Sequence, residues 1–173
     1  MYKLCALLTL VMVMFSGCIT TSFTTSSLYE ENKKVEKLHF IVFGDKETNA
    51  CMNYYKGYVV NSFKEKNIEA DGIYQCCVDI DYNVNEHISA SLSKNKQYDY
   101  LLVAVVTKAI IGYGTSSART VSLKLFDLPQ NKEVWSGTLV ANFSFFMGDQ
   151  DYKAVAKKIS DKTLAELTLK GII

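Results

Sequence analysis

The cysteines are the side chains of this sequence with the most covalent chemistry open to them. Cys18 stands out because a positive charge at Lys3, an almost unbroken apolar stretch (Leu4–Phe15) and the small residues Ser16–Gly17 precede it. These are the parts of a secretory signal peptide. The apolar stretch is about twelve residues long, whereas a membrane-spanning helix needs roughly twenty. We therefore expect residues 1–17 to be a removable leader.

The residues around Cys18 resemble the lipobox of bacterial lipoproteins. In that family the cysteine thiol is alkylated with diacylglycerol, the leader is cut before the cysteine, and the new amine is acylated. The family prefers Leu, Val or Ile three residues before the cysteine, and Phe15 departs from this pattern. The resemblance implies a palmitate-bearing membrane anchor at Cys18.

The residue after the lipidated cysteine bears on the destination of such a protein. It is Ile19 and not Asp, which in the Gram-negative sorting of the family favours the outer membrane, with the protein facing the periplasm. In a Gram-positive organism the same anchor would place the protein at the cell surface. Both locations are in the cell envelope.

Three further cysteines, Cys51, Cys76 and Cys77, lie beyond the anchor. An exported protein meets an oxidising compartment, so Cys51 could form a bridge with Cys76 or Cys77. The alternative is that all three are buried as small apolar residues. They have no paired short spacing and no nearby histidine, so no metal site is predicted.

The side chains that acid–base catalysis uses are scattered along the chain. His39 lies in a predicted strand and His87 in a predicted polar helix, and neither has a serine or cysteine nucleophile beside it. Asp79 and Asp81 alternate at a predicted strand end, a pattern more typical of a solvated edge than of a calcium or acid–base site. We predict no catalytic residue, no cofactor and no enzymatic activity.

A glycine-rich stretch at residues 112–117 suggests a phosphate loop, but a strand follows it and it lacks the usual lysine. The plainest interpretation is a mobile loop between strands. The alternative is a loop that contacts a partner through Tyr113 and Arg119, two residue types enriched in interfaces. Phe145 and Phe146 place apolar side chains on both faces of a strand end, so at least one should be exposed unless a partner or the last helix covers it. These four residues are the predicted partner-binding set.

Charge excludes some classes of partner. The chain has 19 basic and 18 acidic side chains, and loss of Lys3 with the leader makes the two equal. A neutral balance gives no reason to expect nucleic acid as a partner. It also provides no polybasic patch for a membrane surface, so membrane attachment would depend on lipid.

The rest of the chain is predicted to form one domain. Residues 18–34 are the lipidated start and a flexible Ser/Thr linker, and residues 35–173 are a single globular envelope domain, a length typical of one hydrophobic core. Leu38–Phe43 is apolar on both faces, as in a central strand covered on both sides. A helix capped by Thr48 or Asn49 should follow.

The second half of the domain has a clearer pattern. Residues 98–111 read as a long buried strand, and Arg119–Asp127 and Glu133–Phe145 as alternating strands joined by a turn with the only proline. A final helix capped by Asp149 or Asp151 ends at Gly171. The predicted order is β-α-β-α-β-β-β-α, an α+β (mixed α/β) two-layer sandwich with helices packed on a mixed sheet and a C-terminal antiparallel meander.

This closing half, with Tyr98-Asp99-Tyr100, a hairpin containing Asp127, Val134 and Trp135, and a final helix, resembles small bacterial envelope lipoproteins. They include the curli-secretion lipoprotein family, the penicillin-binding-protein activator lipoproteins and the TolB amino-terminal domain type. The resemblance implies this fold and a lipid-anchored location. The functional expectation is a non-enzymatic module that docks an envelope protein partner through its sheet edge or through the loop of residues 111–118. The alternative is a small-ligand or peptidoglycan-binding envelope lipoprotein.

Overall fold

A computed structural model describes residues 26–27, 35–76, 80–107, 116–144 and 148–173 of the chain. The predicted order of helices and strands is confirmed, with one additional two-residue strand at the start. The elements are β1 (Ser26–Ser27), β2 (Lys37–Gly44), α1 (Asn49–Glu65), β3 (Glu69–Cys76), α2 (Ile80–Lys94), β4 (Tyr100–Thr107), β5 (Ser116–Asp127), β6 (Lys132–Ser144) and α3 (Asp149–Leu169).

The strands form one mixed sheet in the order β1-β6-β5-β4-β2-β3. β2 runs parallel to both β3 and β4, so α1 and α2 are the crossover helices that parallel neighbours require. β4, β5 and β6 pair antiparallel and form the predicted meander. The fold class is therefore α+β, as expected from the sequence.

Helices cover both faces of the sheet. Leu38, Phe40 and Val42 of β2 pack in one apolar cluster with residues of α1 and α3. Ile41 and Phe43 belong to a second cluster on the opposite face, to which α2 contributes Ile88. α2 thus adds a third layer to the two-layer sandwich, and the prediction that β2 is covered on both sides is confirmed.

The alternation expected in the meander is also present. In β5, Val121, Leu123 and Leu125 are buried, and in β6 Trp135 and Leu139 are buried. Because side chains of a strand alternate between faces, these residues lie on the side of the sheet that α1 and α3 cover. Apolar side chains on this face are removed from water, which is the main source of stability in the domain.

Gly72 allows α1 to pack closely on β3. A Cβ atom at this position would lie 2.8 Å from the Phe40 carbonyl oxygen and 3.0 Å from Cγ2 of Val60. Val60 is on α1, and Phe40 is on the neighbouring strand β2. A side chain on Gly72 would therefore push the helix away from the sheet.

The helix starts differ in detail from the prediction. Thr48, one of the two residues expected to cap α1, is its N-cap, but its side chain makes no capping hydrogen bond. The N-cap of α3 is Gly148 and not Asp149 or Asp151. The Asp151 carboxylate acts from the first turn, where it accepts a hydrogen bond of 2.9 Å from the Gly148 N–H.

Cys51 is a free, buried thiol in the first turn of α1. The possible bridge from Cys51 to Cys76 or Cys77 is therefore not formed, because the thiol of Cys51 packs into the apolar cluster beneath the helix. Burial raises the pKa of Cys51 from 9.0 to about 12, which keeps it protonated and unreactive. Cys76 is disulfide-bonded, so the alternative of simple burial is confirmed for Cys51 and wrong for Cys76, while Cys77 lies outside the described residues.

The amino-terminal segment reaches the edge of the sheet opposite β3. Ser26 pairs with Ser136 and Ser27 with Trp135, antiparallel to β6. The last two residues of the polar segment Thr20–Ser27 are thus paired with the domain, although the sequence predicts a flexible linker there. No helix in the described ranges is long and apolar enough to cross a membrane.

Candidate functional site

The structure describes one of the five residues to which the sequence assigns a function. Cys18, Tyr113, Phe145 and Phe146 lie outside the described residues, and their roles stay predictions. Arg119 lies near the start of β5, where the sheet meets the loop between β2 and α1. The surroundings of Arg119 therefore define the first candidate surface.

Arg119 is buried, with its side chain 9% exposed, and its guanidinium lies between two carboxylates. Nη1 is 3.5 Å from Oδ2 of Asp45, and Nη2 donates a hydrogen bond to Oε2 of Glu47. A guanidinium presents several N–H groups in a planar fork and can hold two acids at once. Arg119 thus ties β5 to the β2–α1 loop, and Glu47, at 74% exposure, carries acidic charge to the surface.

Further hydrogen bonds fix the loop that carries these acids. Oδ1 of Asp45 accepts hydrogen bonds of 2.8 Å from both the backbone N–H and the hydroxyl of Thr48. The Tyr74 hydroxyl donates to the Asp45 carbonyl oxygen at 3.1 Å. Gly44 leaves room for this phenol, because a Cβ there would lie 2.8 Å from the Tyr74 oxygen. Burial, and then the charge of Asp45, raise the pKa of Tyr74 to about 12.

This loop lies where the two crossover connections diverge. β2 and β4 are parallel neighbours, and the helices that follow β2 and precede β4 cover opposite faces of the sheet. Open α/β sheets commonly bind ligands at the carboxyl ends of such strands. Here Arg119 carries two ion pairs across that end, so its own charge is satisfied within the domain.

A second cluster joins His39 of β2, Asp71 of β3 and Tyr98, which follows α2. His39 is buried and its Nδ1 contacts Oδ1 of Asp71, while the Tyr98 hydroxyl donates to Oδ2 of Asp71 at 2.6 Å. The rings of His39 and Tyr98 lie 5.1 Å apart. One carboxylate therefore links three elements at the amino-terminal end of the parallel strands.

The electrostatics of this cluster follow from these contacts. Partial burial alone would raise the pKa of Asp71, but hydrogen bonds from Tyr98 and His39 and the charges of His39 and Lys64 lower it overall. The hydrogen bond to Asp71, followed by partial burial, raises the pKa of Tyr98. Asp71 is thus held as a carboxylate and Tyr98 as a phenol near neutral pH. Through Asp71 the cluster ties β2, β3 and the segment after α2 to one another.

Sequence reasoning did not find this cluster, since it depends on strand register. The parallel pairing of β2 with β3 places His39 directly beside Asp71. The two residues are far apart along the chain, and a sequence pattern does not give the register of parallel strands. The polarity of His39 and Asp71 is the signal that could have pointed to them, because each lies in a strand whose other residues are largely apolar or small.

A groove of about 600 Å³ lies between the second half of α2 and the turn joining β5 to β6. Its lining is mixed, with hydroxyl, amide, ammonium and apolar side chains. The lining residues are Ser89, Leu92, Ser93, Lys96, Leu128, Pro129 and Asn131. A groove of this size suits a small polar ligand. Across the described ranges no three His, Cys, Asp or Glu residues gather to hold a metal ion.

No protein-family model matches the chain, and no curated protein matches it. Among solved structures it is similar to the PelC dodecamer from Paraburkholderia phytofirmans, with 16% identity, a TM-score of 0.49, and coverage of 82% of this chain and 96% of that one. Lipoprotein GNA1162 from Neisseria meningitidis matches with 12% identity, a TM-score of 0.46, and coverage of 77% and 98%.

The LpoB C-terminal domain from Salmonella enterica matches with 10% identity, a TM-score of 0.34, and coverage of 64% of this chain and 85% of that one. The identities with these three structures are low, and the TM-scores lie below one half. The functional proposal therefore rests on the chain's own residues.

Proposed function

We propose that this chain is a lipid-anchored, non-enzymatic protein of the cell envelope. Its place would be the periplasm-facing side of the outer membrane, where it docks a protein partner. The observation that carries the proposal is Cys18, placed after a charged start, an apolar run and small residues. Since a single acyl chain binds membranes only reversibly, a stable anchor needs the two or three chains that a lipidated cysteine can carry.

The anchor is tested by changing the cysteine itself. Cys18→Ala should leave a longer precursor that takes up no labelled palmitate, because the thiol that accepts the lipid is gone. Cys51→Ala is the matched control: its thiol is buried in the domain, and this variant should be labelled like the parent. Palmitate uptake by Cys18→Ala, or an unmodified thiol at the mature amino terminus by mass spectrometry, would overturn the anchor.

Partner docking is assigned to the end of the sheet near Arg119. β4 ends and β5 begins at this end of the sheet, with Tyr113 between them in the sequence, and Glu47 presents an exposed carboxylate beside the buried guanidinium. An interface here would combine an aromatic side chain with a fixed acidic rim, a combination common in protein–protein contacts. A partner with a basic patch fits this charge best.

The docking surface is tested with a photo-crosslinking amino acid in living cells. Placed at Tyr113, it should yield a discrete protein adduct. Placed at Leu169, an exposed residue at the far end of α3, it should yield none. Equal adduct patterns at both positions, or recovery of cell-wall fragments without protein, would contradict docking at this end of the sheet.

The second candidate function is binding of a small ligand or peptidoglycan, favoured by the groove beside α2. Its serine hydroxyls, Asn131 and Lys96 can hydrogen-bond sugar or peptide groups. Ser93→Trp would fill the groove at an exposed helix position, and it should abolish retention on purified peptidoglycan. Asn53→Trp, at an exposed position of α1, is the control. Retention that survives Ser93→Trp would reject the groove as the binding site.

A further inference from the structure

The outer edge of β3 has the properties of an open pairing edge. β3 is the last strand in the sheet order, and among the described residues β2 is the strand with which it pairs. Its pairing runs over eight residues without a register shift, and its sequence, EADGIYQC, holds no lysine or proline. Natural edge strands are usually shortened, bulged or blocked by lysine or proline.

The direction of the backbone groups follows from one hydrogen bond. The Glu69 N–H donates to the Glu36 carbonyl oxygen at 2.8 Å, so the peptide groups of Glu69 point toward β2. In a parallel strand, successive residues direct their hydrogen-bonding groups to opposite sides. The N–H and C=O groups of Ala70, Gly72 and Tyr74 therefore point outward from the sheet.

The charged side chains of β3 are engaged within the domain. Glu69 pairs with Lys37 of β2 at 3.0 Å, and Asp71 is bound by His39 and Tyr98. Charges that would otherwise repel an incoming strand are thus neutralised or hydrogen-bonded. The apolar residue at the centre of the outward segment, Ile73, is 46% exposed, and in the described part of the chain it is one of two exposed large apolar residues, the other being Leu169.

We propose that the outer edge of β3 pairs with the same edge of a second copy of this chain, antiparallel, with Ile73 opposite Ile73 of that copy. A two-fold pairing uses the same residues on both sides, so the edge has to be complementary to itself. With Ile73 at the axis, the outward groups of Gly72 meet those of Tyr74 in the second copy. Asp71 then lies opposite Gln75, which can donate to its carboxylate.

The neighbouring register is less favourable. If Gly72 were opposite Gly72 of the second copy, each Asp71 would face an Ile73. That arrangement sets a charge against an apolar side chain and leaves both isoleucines without an apolar neighbour. Pairing about Ile73 instead buries two exposed apolar side chains against each other. The paired copies would form one continuous sheet, held by a short contact and therefore in concentration-dependent equilibrium with single copies.

A disulfide test uses the geometry of this register. Residues directly opposite in a non-hydrogen-bonded antiparallel pair have Cα atoms about 4.5 Å apart, a separation that a disulfide spans. Ile73→Cys in the full chain, oxidised mildly, should therefore give a dimer on a non-reducing gel that reductant abolishes. The parent chain reports any dimer formed through its own cysteines.

Leu169→Cys is the matched control for random collision. Leu169 is 76% exposed, more than Ile73, and lies at the end of α3. If crosslinking reflects accessibility alone, Leu169→Cys will dimerise at least as well as Ile73→Cys, and the proposal is overturned. A disulfide from Ile73→Cys to a different protein would overturn it too, because the edge would then serve another partner.

A second measurement does not depend on thiol chemistry. In sedimentation of the detergent-solubilised full chain, the parent should show a dimer fraction that grows with concentration. Ile73→Lys should remove that dimer, since it sets two ammonium groups against each other at the axis, whereas Leu169→Lys should sediment like the parent. A parent that stays single at all concentrations, or a dimer that survives Ile73→Lys, contradicts the proposal. This inference is independent of the lipid anchor.

Discussion

A guanidinium that leaves water has to be paired, because an isolated buried charge is very costly. Arg119 meets this requirement with Asp45 and Glu47. Its residue type led to the prediction of a partner contact, yet its geometry also gives it a part in the fold. That Arg119 also touches a partner stays a prediction. Because a substitution at Arg119 lowers the stability of the domain, its effect on stability has to be measured before any effect on partner binding is interpreted.

Arg119→Ala should lower the free energy of unfolding by about 2 kcal/mol, since it leaves two acids without their shared cation. Glu47→Ala should cost less than about 1 kcal/mol, because Glu47 is 74% exposed and water replaces the lost contact. Urea titrations of the two variants and the parent measure both values. Equal losses of unfolding free energy in the two variants would show that the buried guanidinium of Arg119 contributes no more to stability than the exposed carboxylate of Glu47.

Tyr74→Phe should cost about 1 kcal/mol at neutral pH through loss of the hydrogen bond to the Asp45 carbonyl. The parent also has a pH dependence that the variant lacks. The folded-state pKa of Tyr74 is raised from 10.0 to about 12, so the contribution of the phenol is present below pH 10 and is lost as the pH rises through about 12. The stability gap between parent and variant should therefore narrow above pH 10.

Unfolding titrations at pH 8 and at several values above pH 10 follow this gap. A gap that is constant over the whole range would show that the phenol titrates alike in the folded and unfolded chain. Tyr58→Phe, on the partly buried side of α1, is a comparison for the general effect of losing a tyrosine hydroxyl.

Replacing Gly57 or Gly72 with alanine should change the stability of the protein in opposite directions. Gly57 lies within α1, and a Cβ there would meet nothing within 4 Å. Gly57→Ala should stabilise the protein by about 0.5–1 kcal/mol, since alanine loses less backbone entropy in a helix. Gly72→Ala should destabilise it by about 1–3 kcal/mol, because the new methyl group has to displace α1 or the Phe40 carbonyl.

Thermal unfolding of the two variants and the parent shows whether each substitution raises or lowers stability. Stabilisation by Gly72→Ala would mean that α1 is not packed tightly on β3. Destabilisation by Gly57→Ala would mean that this face of α1 is covered by something that needs the glycine.

At the scale of elements, the sequence predicted correctly those features that follow from the periodicity of apolar residues. The doubly apolar Leu38–Phe43 predicted a strand covered on both faces, and the alternation in β5 and β6 predicted their buried sides. Contacts between distant segments were not predictable from such patterns. The His39–Asp71 contact depends on the register of β2 against β3, and the groove brings α2 beside a turn far along the chain.

At the scale of the whole molecule, the order of elements was predictable, but the pairing of cysteines was not. Cys51 and Cys76 are both in the domain, and their separation along the chain is compatible with a bridge. The fold instead places Cys51 in the apolar cluster under α1, a position that depends on which helix face meets the sheet. Long-range geometry of this kind is set by packing and is not visible in spacing alone.

The short strand β1 sets a limit on how far the molecule can stand from its membrane. With lipid on Cys18, the eight residues from Ile19 to Ser26 span at most about 29 Å when fully extended. While Ser26 stays paired with Ser136, the β6 edge of the sheet cannot lie farther than this distance from the lipid headgroups. The β3 margin, across the width of the sheet, is then the part free to face away from the bilayer.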